Sequence, residues 1–142
     1  MKKSNTVLLL VFLFIIIAGA VLWWIFIGWA KDASESGRES VVAGREFGKT
    51  SNASGCLKQA LVKEEQCEGI TCGIHNKVFL SSCLDSSQPE PQFCNDVPSS
   101  YSILQAAAWE LEQCEKIGNE KPTCQHLFRT VHTYCTQRDG KN

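Results

Sequence analysis

The chain has 142 residues, of which 44% are hydrophobic and 20% charged, and it carries a formal net charge of −1 at pH 7. This length leaves room for one small domain. From residue 52 onward there are eight lysines or arginines against eleven acidic residues, whereas a nucleic-acid-binding surface needs an excess of positive charge. We therefore expect no nucleic-acid partner.

Residues 7–30 contain no charged residue and no proline. As a helix this segment would measure about 36 Å, against about 30 Å for the hydrocarbon core of a bilayer. We predict a transmembrane signal-anchor helix that contacts the lipid bilayer, preceded by a cytoplasmic stub of residues 1–6. A cleaved signal peptide is the alternative, with Lys2 and Lys3 as its basic region. We favour the anchor, because the apolar run is longer than usual and aromatic residues crowd the candidate cleavage site at Ala30.

Residues 31–51 are rich in charged residues, serine and glycine. Glycine weakens a helix, so we expect Gly37, Gly44 and Gly48 to interrupt any helix in this segment. The composition predicts a polar juxtamembrane tether that acts as a spacer.

All eight cysteines of the chain follow this tether, between Cys56 and Cys135. An even number of cysteines at this density in a small domain is typical of disulfides and of an oxidising compartment. We therefore expect a single-pass membrane protein with a cytoplasmic N-terminus. Its domain, residues 52–142, would be periplasmic if the protein is bacterial and luminal or extracellular otherwise.

The cysteine spacing predicts a first helical hairpin. Cys56 and Cys67, and likewise Cys72 and Cys83, enclose ten residues, so both thiols of each pair fall on one helix face. The two pairs are mirror images about the turn between them, which predicts an antiparallel hairpin with disulfides Cys56–Cys83 and Cys67–Cys72. Apolar residues at three- and four-residue intervals, such as Leu57 and Ile74, form the facing stripes.

A proline-rich connection, residues 84–98, leads to a second hairpin. Its first helix carries Tyr101, Leu104, Ala108, Leu111 and Cys114 and ends at Gly118, and its second begins at Pro122. Cys114 and Cys124 bracket the turn, which leaves Cys94 for Cys135, although other pairings of these four cysteines stay open. The predicted fold class is all-α: one N-terminal transmembrane helix plus a small disulfide-stapled domain of about four short helices in two antiparallel hairpins.

The nested bonds of the first hairpin resemble the twin-cysteine helical hairpin of mitochondrial intermembrane-space proteins, in which an inner and an outer disulfide join two antiparallel helices. The spacing between cysteines is shorter in that family, and a membrane anchor of this kind is absent from it. The resemblance covers Cys56 to Cys83 and implies the hairpin architecture alone.

Two groups of residues have the chemistry of metal ligands: Cys67, Cys72 and His75 near the first turn, and Cys124, His126, His132 and Cys135 on the last helix. Cysteines with ten residues between them lie about 16 Å apart along a helix axis and cannot share one ion. His126 and His132 diverge by about 120° around their helix, so they do not converge on one point. We expect structural disulfides and no catalytic, cofactor or metal site, since no hydrolase, phosphate-binding or C-x-x-C motif occurs.

These observations favour a non-catalytic structural or interaction module, accessory to a protein partner at the membrane surface. Its contacts would use acidic helix faces or the proline-rich connection, and Trp109 is either a core residue or an exposed recognition anchor. The alternative is a thiol-disulfide redox protein or sensor that uses Cys67 and Cys72, whose short loop makes their bond the closest candidate.

Overall fold

A computed structural model of the chain describes the backbone of residues 2–99 and 103–139 and the side chains of residues 11–28, 35–99 and 103–138. Within these residues the protein forms five helices and no strand. They are α1 (Lys2–Lys49), α2 (Ala53–Glu65), α3 (Ile70–Ser86), α4 (Ile103–Lys116) and α5 (Pro122–Asp139). The predicted all-α fold with two stapled helical hairpins is confirmed. The chain divides into two compact units, Met1–Ser36 and Gly37–Asn142.

The first unit contains the apolar part of α1. Among the described residues, one window is long and apolar enough to cross a membrane: Val11–Gly28, with a mean hydropathy of 2.7 and none of it buried in the protein. A signal sequence has the same properties. Together with the disulfides described below, this helix indicates a secreted or membrane-anchored protein.

Helix α1 extends well beyond the apolar segment. The expectation that Gly37, Gly44 and Gly48 interrupt any helix is wrong, because α1 continues to Lys49. Its last turns belong to the second unit, where Gly44 and Gly48 are buried and Phe47 lies 6.1 Å from Phe79 of α3, centroid to centroid. The absence of a Cβ at Gly44 and Gly48 lets the two helix backbones touch. The division of the chain at residue 51 stays a prediction.

The first hairpin joins α2 to α3. Asn52 caps α2 by accepting a hydrogen bond from the backbone N–H of Gly55, at 2.9 Å, which replaces a partner that the helix itself lacks. Gly69, with a φ of 84°, makes the turn into α3 in the left-handed region that favours glycine. Both helices supply buried residues to the main core: Ala53, Cys56, Ala60, Phe79, Leu80, Cys83 and Leu84.

The second hairpin joins α4 to α5, and α5 packs against α2, α3 and α4. Gly118, with a φ of 67°, ends α4, and Pro122 begins α5. Leu127, Val131 and Cys135 of α5 complete the main core. The chain from Ser100 to Ser102 lies outside the described residues.

Of the described residues named above for α4, Cys114 is the one that is buried. Leu104, Ala108 and Leu111 are exposed, and the face turned inward carries Ala106, Glu110 and Cys114. These three residues are four positions apart, so they lie on the same face of the helix as the buried Cys114. The buried Glu110 is tolerated because Arg129 of α5 pairs with it, with Nη2 and Oε2 2.9 Å apart.

The proline-rich connection is held against the hairpins. The carboxylate of Glu90 accepts hydrogen bonds from the backbone N–H and the hydroxyl of Ser54, both at 2.8 Å, at the start of α2. Phe93 packs against Tyr134 of α5 with ring centroids 6.2 Å apart. The middle of the connection is therefore held by contacts with both α2 and α5.

Candidate functional site

Every cysteine of the chain is in a disulfide. The four bonds, with Cα atoms 5.5–6.1 Å apart, join the four pairs proposed above: Cys56–Cys83, Cys67–Cys72, Cys94–Cys135 and Cys114–Cys124. The sulfurs therefore staple helices together and connect the proline-rich segment to α5.

The histidines named with these cysteines lie apart from one another. His75 is near Cys72, His126 is exposed at the start of α5, and His132 packs beside Trp109 with ring centroids 6.4 Å apart. In the part of the chain that the structure describes, no group of three His, Cys, Asp or Glu side chains could hold a metal ion. Cys67, Cys72 and His75 lie together at one depression, with both sulfurs in the Cys67–Cys72 bond, whereas the cysteines of the second set are bonded to Cys94 and Cys114.

Trp109 is half-buried and packs edge to face on Phe128, with ring centroids 5.8 Å apart. Together with Cys114 and Cys124 it closes a small second core between α4 and α5. Of the two roles considered for Trp109, the packing fits the core residue.

The apolar residues that remain unpacked on α3 line an open depression of about 690 Å³ between the first turns of α3 and α5, here called the α3–α5 groove. Ile70 is 81% exposed and Ile74 56% exposed, and Pro122 lies opposite them. The prediction that Ile74 belongs to the stripe of α3 that faces α2 is wrong. The buried residues of that helix are Asn76, Phe79, Leu80, Cys83 and Leu84, and Ile74 is on another face.

The Thr123 side chain of α5 packs directly on the backbone of α3 beside the groove. A Cβ atom at Gly73 would lie 2.7 Å from Cγ2 of Thr123, so a side chain there would force Thr123 to shift. The turn at Gly69 then places Ile70 at the mouth of the groove, as the first residue of α3.

Glu64 of α2 lies beneath the groove and is almost wholly buried, with 1% of its surface exposed. Its carboxylate accepts hydrogen bonds from the hydroxyl of Thr123 and from Nδ2 of Asn76, the latter at 3.2 Å. The Asn76 amide also donates to the carbonyl oxygen of Ala60 at 2.8 Å. Glu64 is thus engaged in joining α2, α3 and α5, and it presents no negative charge at the surface.

The rim of the groove carries Lys77, Lys121 and His126, all exposed. Lys121 also holds the C-terminus of α2, because its Nζ donates to the carbonyl oxygens of Glu64, Glu65 and Cys67 at 3.1–3.5 Å. Within the described residues, none of the three rim residues makes an ion pair. The groove therefore combines exposed isoleucines with three basic side chains that make no ion pair.

A neighbouring depression of about 700 Å³ lies between α2 and the turn after α4, and Leu61, Val62 and Ile117 line it. Its charged residues are two lysines and two glutamates: Lys58, Lys121, Glu65 and Glu120. Because these charges balance, this depression has no preference for a partner of either sign.

The Cys67–Cys72 bond borders a third depression, of about 380 Å³, beside Lys63, His75 and Asn76. Both of its cysteines are half-buried, whereas Cys56, Cys83, Cys114, Cys124 and Cys135 are buried. Cys72 lies in the first turn of α3, where the helix dipole stabilises a thiolate.

Comparisons with protein-family models, with curated proteins and with solved structures find no match to this chain.

Proposed function

We propose that the protein is a membrane-anchored, non-catalytic interaction module, which exposes its disulfide-stabilised helical domain outside the cytoplasmic membrane and docks a protein partner in the α3–α5 groove. Residues 7–30 would anchor it in the bilayer. One observation carries the proposal: Ile70 and Ile74 stay exposed in an open groove, although Phe79, Leu80 and Leu84 of the same helix are buried. Exposed apolar residues collected in one depression mark interaction sites more often than isolated ones do.

The scaffold around the groove suits recognition by a preformed surface. The groove walls belong to α3 and α5, and the Cys67–Cys72 and Cys114–Cys124 bonds hold the turns that precede these two helices. A surface that is rigid before binding loses less conformational entropy when a partner docks.

Site-specific photo-crosslinking tests the docking site. A photoreactive amino acid replaces Ile74 in the full chain within native membranes, and the matched control replaces Leu111, which is also apolar and exposed but lies on α4. We expect a discrete protein adduct at position 74, identified by mass spectrometry, that is absent at position 111 and weakened by Ile70→Asp. Equal adducts at both positions, or adducts with lipid alone, would overturn the proposal.

Compartment and orientation need a separate measurement. Protease given access to the outer face of the sealed cytoplasmic membrane, as in spheroplasts, should remove residues 52–142 and leave the apolar segment in the membrane fraction. The untreated chain should yield no alkylatable thiol until a reductant is added. A domain protected in sealed spheroplasts, with eight alkylatable thiols, would contradict the orientation.

A second candidate function, thiol-disulfide exchange at Cys67–Cys72, is favoured by the half-exposed bond and by the position of Cys72 at a helix start. A thiolate of a substrate dithiol would attack one sulfur and form a mixed disulfide as the Cys67–Cys72 bond breaks. The second substrate thiolate would then displace the protein sulfur. The substrate ends as a disulfide and the two cysteines as thiols, so two electrons pass from substrate to protein.

Equilibration of the full chain in glutathione buffers separates the two functions. Selective reduction of Cys67–Cys72 in the range of known exchange proteins, about −120 to −270 mV, would support exchange. The other three disulfides are the internal control, and mass spectrometry after alkylation identifies the reduced bond. Resistance of all four bonds below about −300 mV would leave the interaction module as the sole candidate.

A further inference from the structure

We infer that the occupant of the α3–α5 groove is a short protein segment that carries apolar side chains next to acidic ones. This inference rests on the proposed docking function of the groove and specifies the chemistry of the partner. Its apolar component follows from Ile70, Ile74 and Pro122, which a partner must cover with apolar groups to remove their surface from water. A volume of about 690 Å³ takes a few side chains of one segment.

The charge of the rim specifies the acidic component. Lys77, Lys121 and His126 surround the groove, and the one acidic residue that lines it, Glu64, is buried and bonded to Thr123 and Asn76. The rim is basic although the domain as a whole has more acidic than basic residues. A basic rim on an acidic domain favours a partner that carries acidic side chains at the position of the groove.

The first turns of two helices add to the same field. Gly69, the N-cap of α3, has no side chain that could accept a hydrogen bond from the helix. The first backbone N–H groups of α3 therefore keep their partial positive charge. Lys121 and Pro122 stand at the start of α5, on the opposite wall. An acidic side chain of the docked segment would meet the positive ends of both walls.

An anionic membrane surface is the main competing occupant, since lysines and exposed isoleucines also suit lipid. Two features favour the peptide. The isoleucines line a depression and do not project as a wedge, and the domain around them is acidic overall, so an anionic bilayer would repel most of its surface.

The test measures binding of labelled octapeptides to the full chain in zwitterionic nanodiscs by fluorescence anisotropy. The probe alternates leucine and aspartate; one matched peptide has lysine for aspartate, and another has serine for leucine. We expect the acidic apolar peptide to bind at least about tenfold more tightly than either control, with affinity that falls as salt is raised. Equal binding of the lysine peptide, or no binding of any peptide, would overturn the inference.

Two lysine variants localise the binding. Lys77→Glu on the rim should weaken the acidic peptide about fivefold or more, which is about 1 kcal/mol. The matched Lys58→Glu, on an exposed part of α2 outside the groove, should leave it unchanged. Equal effects of the two variants would overturn the inference.

Vesicles with and without anionic lipid provide the last comparison. Binding of the domain to anionic vesicles that Lys77→Glu abolishes, without peptide binding, would assign the groove to lipid. The photo-crosslink from position 74 stays an independent readout. If it still marks one protein while the peptides fail, the partner chemistry is wrong and the docking function stands. If it fails, the docking function itself falls.

Discussion

The backbone of Gly44 lies directly against the carbonyl oxygen of Phe79: a Cβ atom at Gly44 would be 2.4 Å from that oxygen. Gly48, one helical turn further, has the same relationship to the carbonyl oxygen of Cys83, also at 2.4 Å. Helix α1 therefore approaches α3 backbone to backbone along two turns. The contact depends on the two glycines, since the atoms that a side chain would meet belong to the main chain and cannot rotate away.

Substitution Gly44→Ala should destabilise this contact by about 1–3 kcal/mol, because the added methyl group forces the two helices apart. Gly37→Ala is the matched control: Gly37 is in the same helix with nothing within 4 Å of its Cβ position, so alanine there should cost nothing and gain up to about 1 kcal/mol. Hydrogen exchange of residues 37–49 in detergent-solubilised full chain measures both effects. Equal protection in the two variants would contradict the assigned role of Gly44.

The glycines also show where sequence reasoning fails. Glycine has a low helix propensity, and from composition alone residues 31–51 resemble a spacer. The spacing of four between Gly44 and Gly48 was the signal for close helix packing. This spacing indicates a contact only when a second helix, here α3, lies opposite the glycines. The sequence of residues 31–51 does not show that such a helix is present.

The hairpins were predictable because cysteine spacing constrains them independently of local propensity. Two symmetric pairs around the turn at Gly69 leave few arrangements of α2 and α3. The candidate groove was not predictable, because Ile74 satisfies the same three- and four-residue pattern as a core residue. Which apolar side chains remain exposed depends on how α5 packs against α3. That packing involves the contact between Gly73 and Thr123, which are far apart in the sequence.

The buried carboxylate of Glu64 leads to a second prediction. Thr123→Val keeps the shape of the side chain but removes the hydroxyl that donates to Oε1. Because the Glu64 carboxylate is almost fully buried, the loss of this donor should lower the free energy of unfolding by about 1–3 kcal/mol. Thr123→Ser, which retains the hydroxyl, should stay within about 1 kcal/mol of the native chain. Denaturant unfolding of the full chain in detergent compares the variants, and a larger loss for serine than for valine would contradict the role of the hydroxyl.

The ion pair between Glu110 and Arg129 supplies a third prediction. The side chain of Glu110 is 5% exposed and that of Arg129 is 52% exposed, so Arg129→Met removes a solvent-accessible partner and leaves a buried carboxylate. We expect a loss of about 1–3 kcal/mol. The control is Lys116→Met, which breaks the pair with Glu112, in which both side chains are 59% exposed. That exposed pair should contribute at most about 1 kcal/mol, and thermal unfolding that ranks the two variants in the opposite order would refute the prediction.

The disulfides should differ in their contribution to stability according to the length of chain that each encloses. Cys94–Cys135 joins residues 41 apart in sequence, and Cys67–Cys72 joins residues 5 apart. In the chain-entropy account, the long loop contributes about 4 kcal/mol and the short one about 2 kcal/mol, because closing a longer loop removes more freedom from the unfolded chain. The paired substitutions Cys94→Ala with Cys135→Ala should therefore lower the free energy of unfolding by about 2 kcal/mol more than Cys67→Ala with Cys72→Ala.

Packing acts in the same direction in this comparison. Cys135 is part of the main core, whereas Cys67 and Cys72 are half-buried, so alanine leaves a cavity at Cys135 and little at the hairpin turn. Denaturant unfolding of both double variants, with the other three disulfides intact, measures the difference. An equal or larger loss of unfolding free energy for the Cys67–Cys72 variant would mean that this bond stabilises more of the domain than its short loop. It would also argue against thiol-disulfide exchange, which requires the bond to open while the domain stays folded.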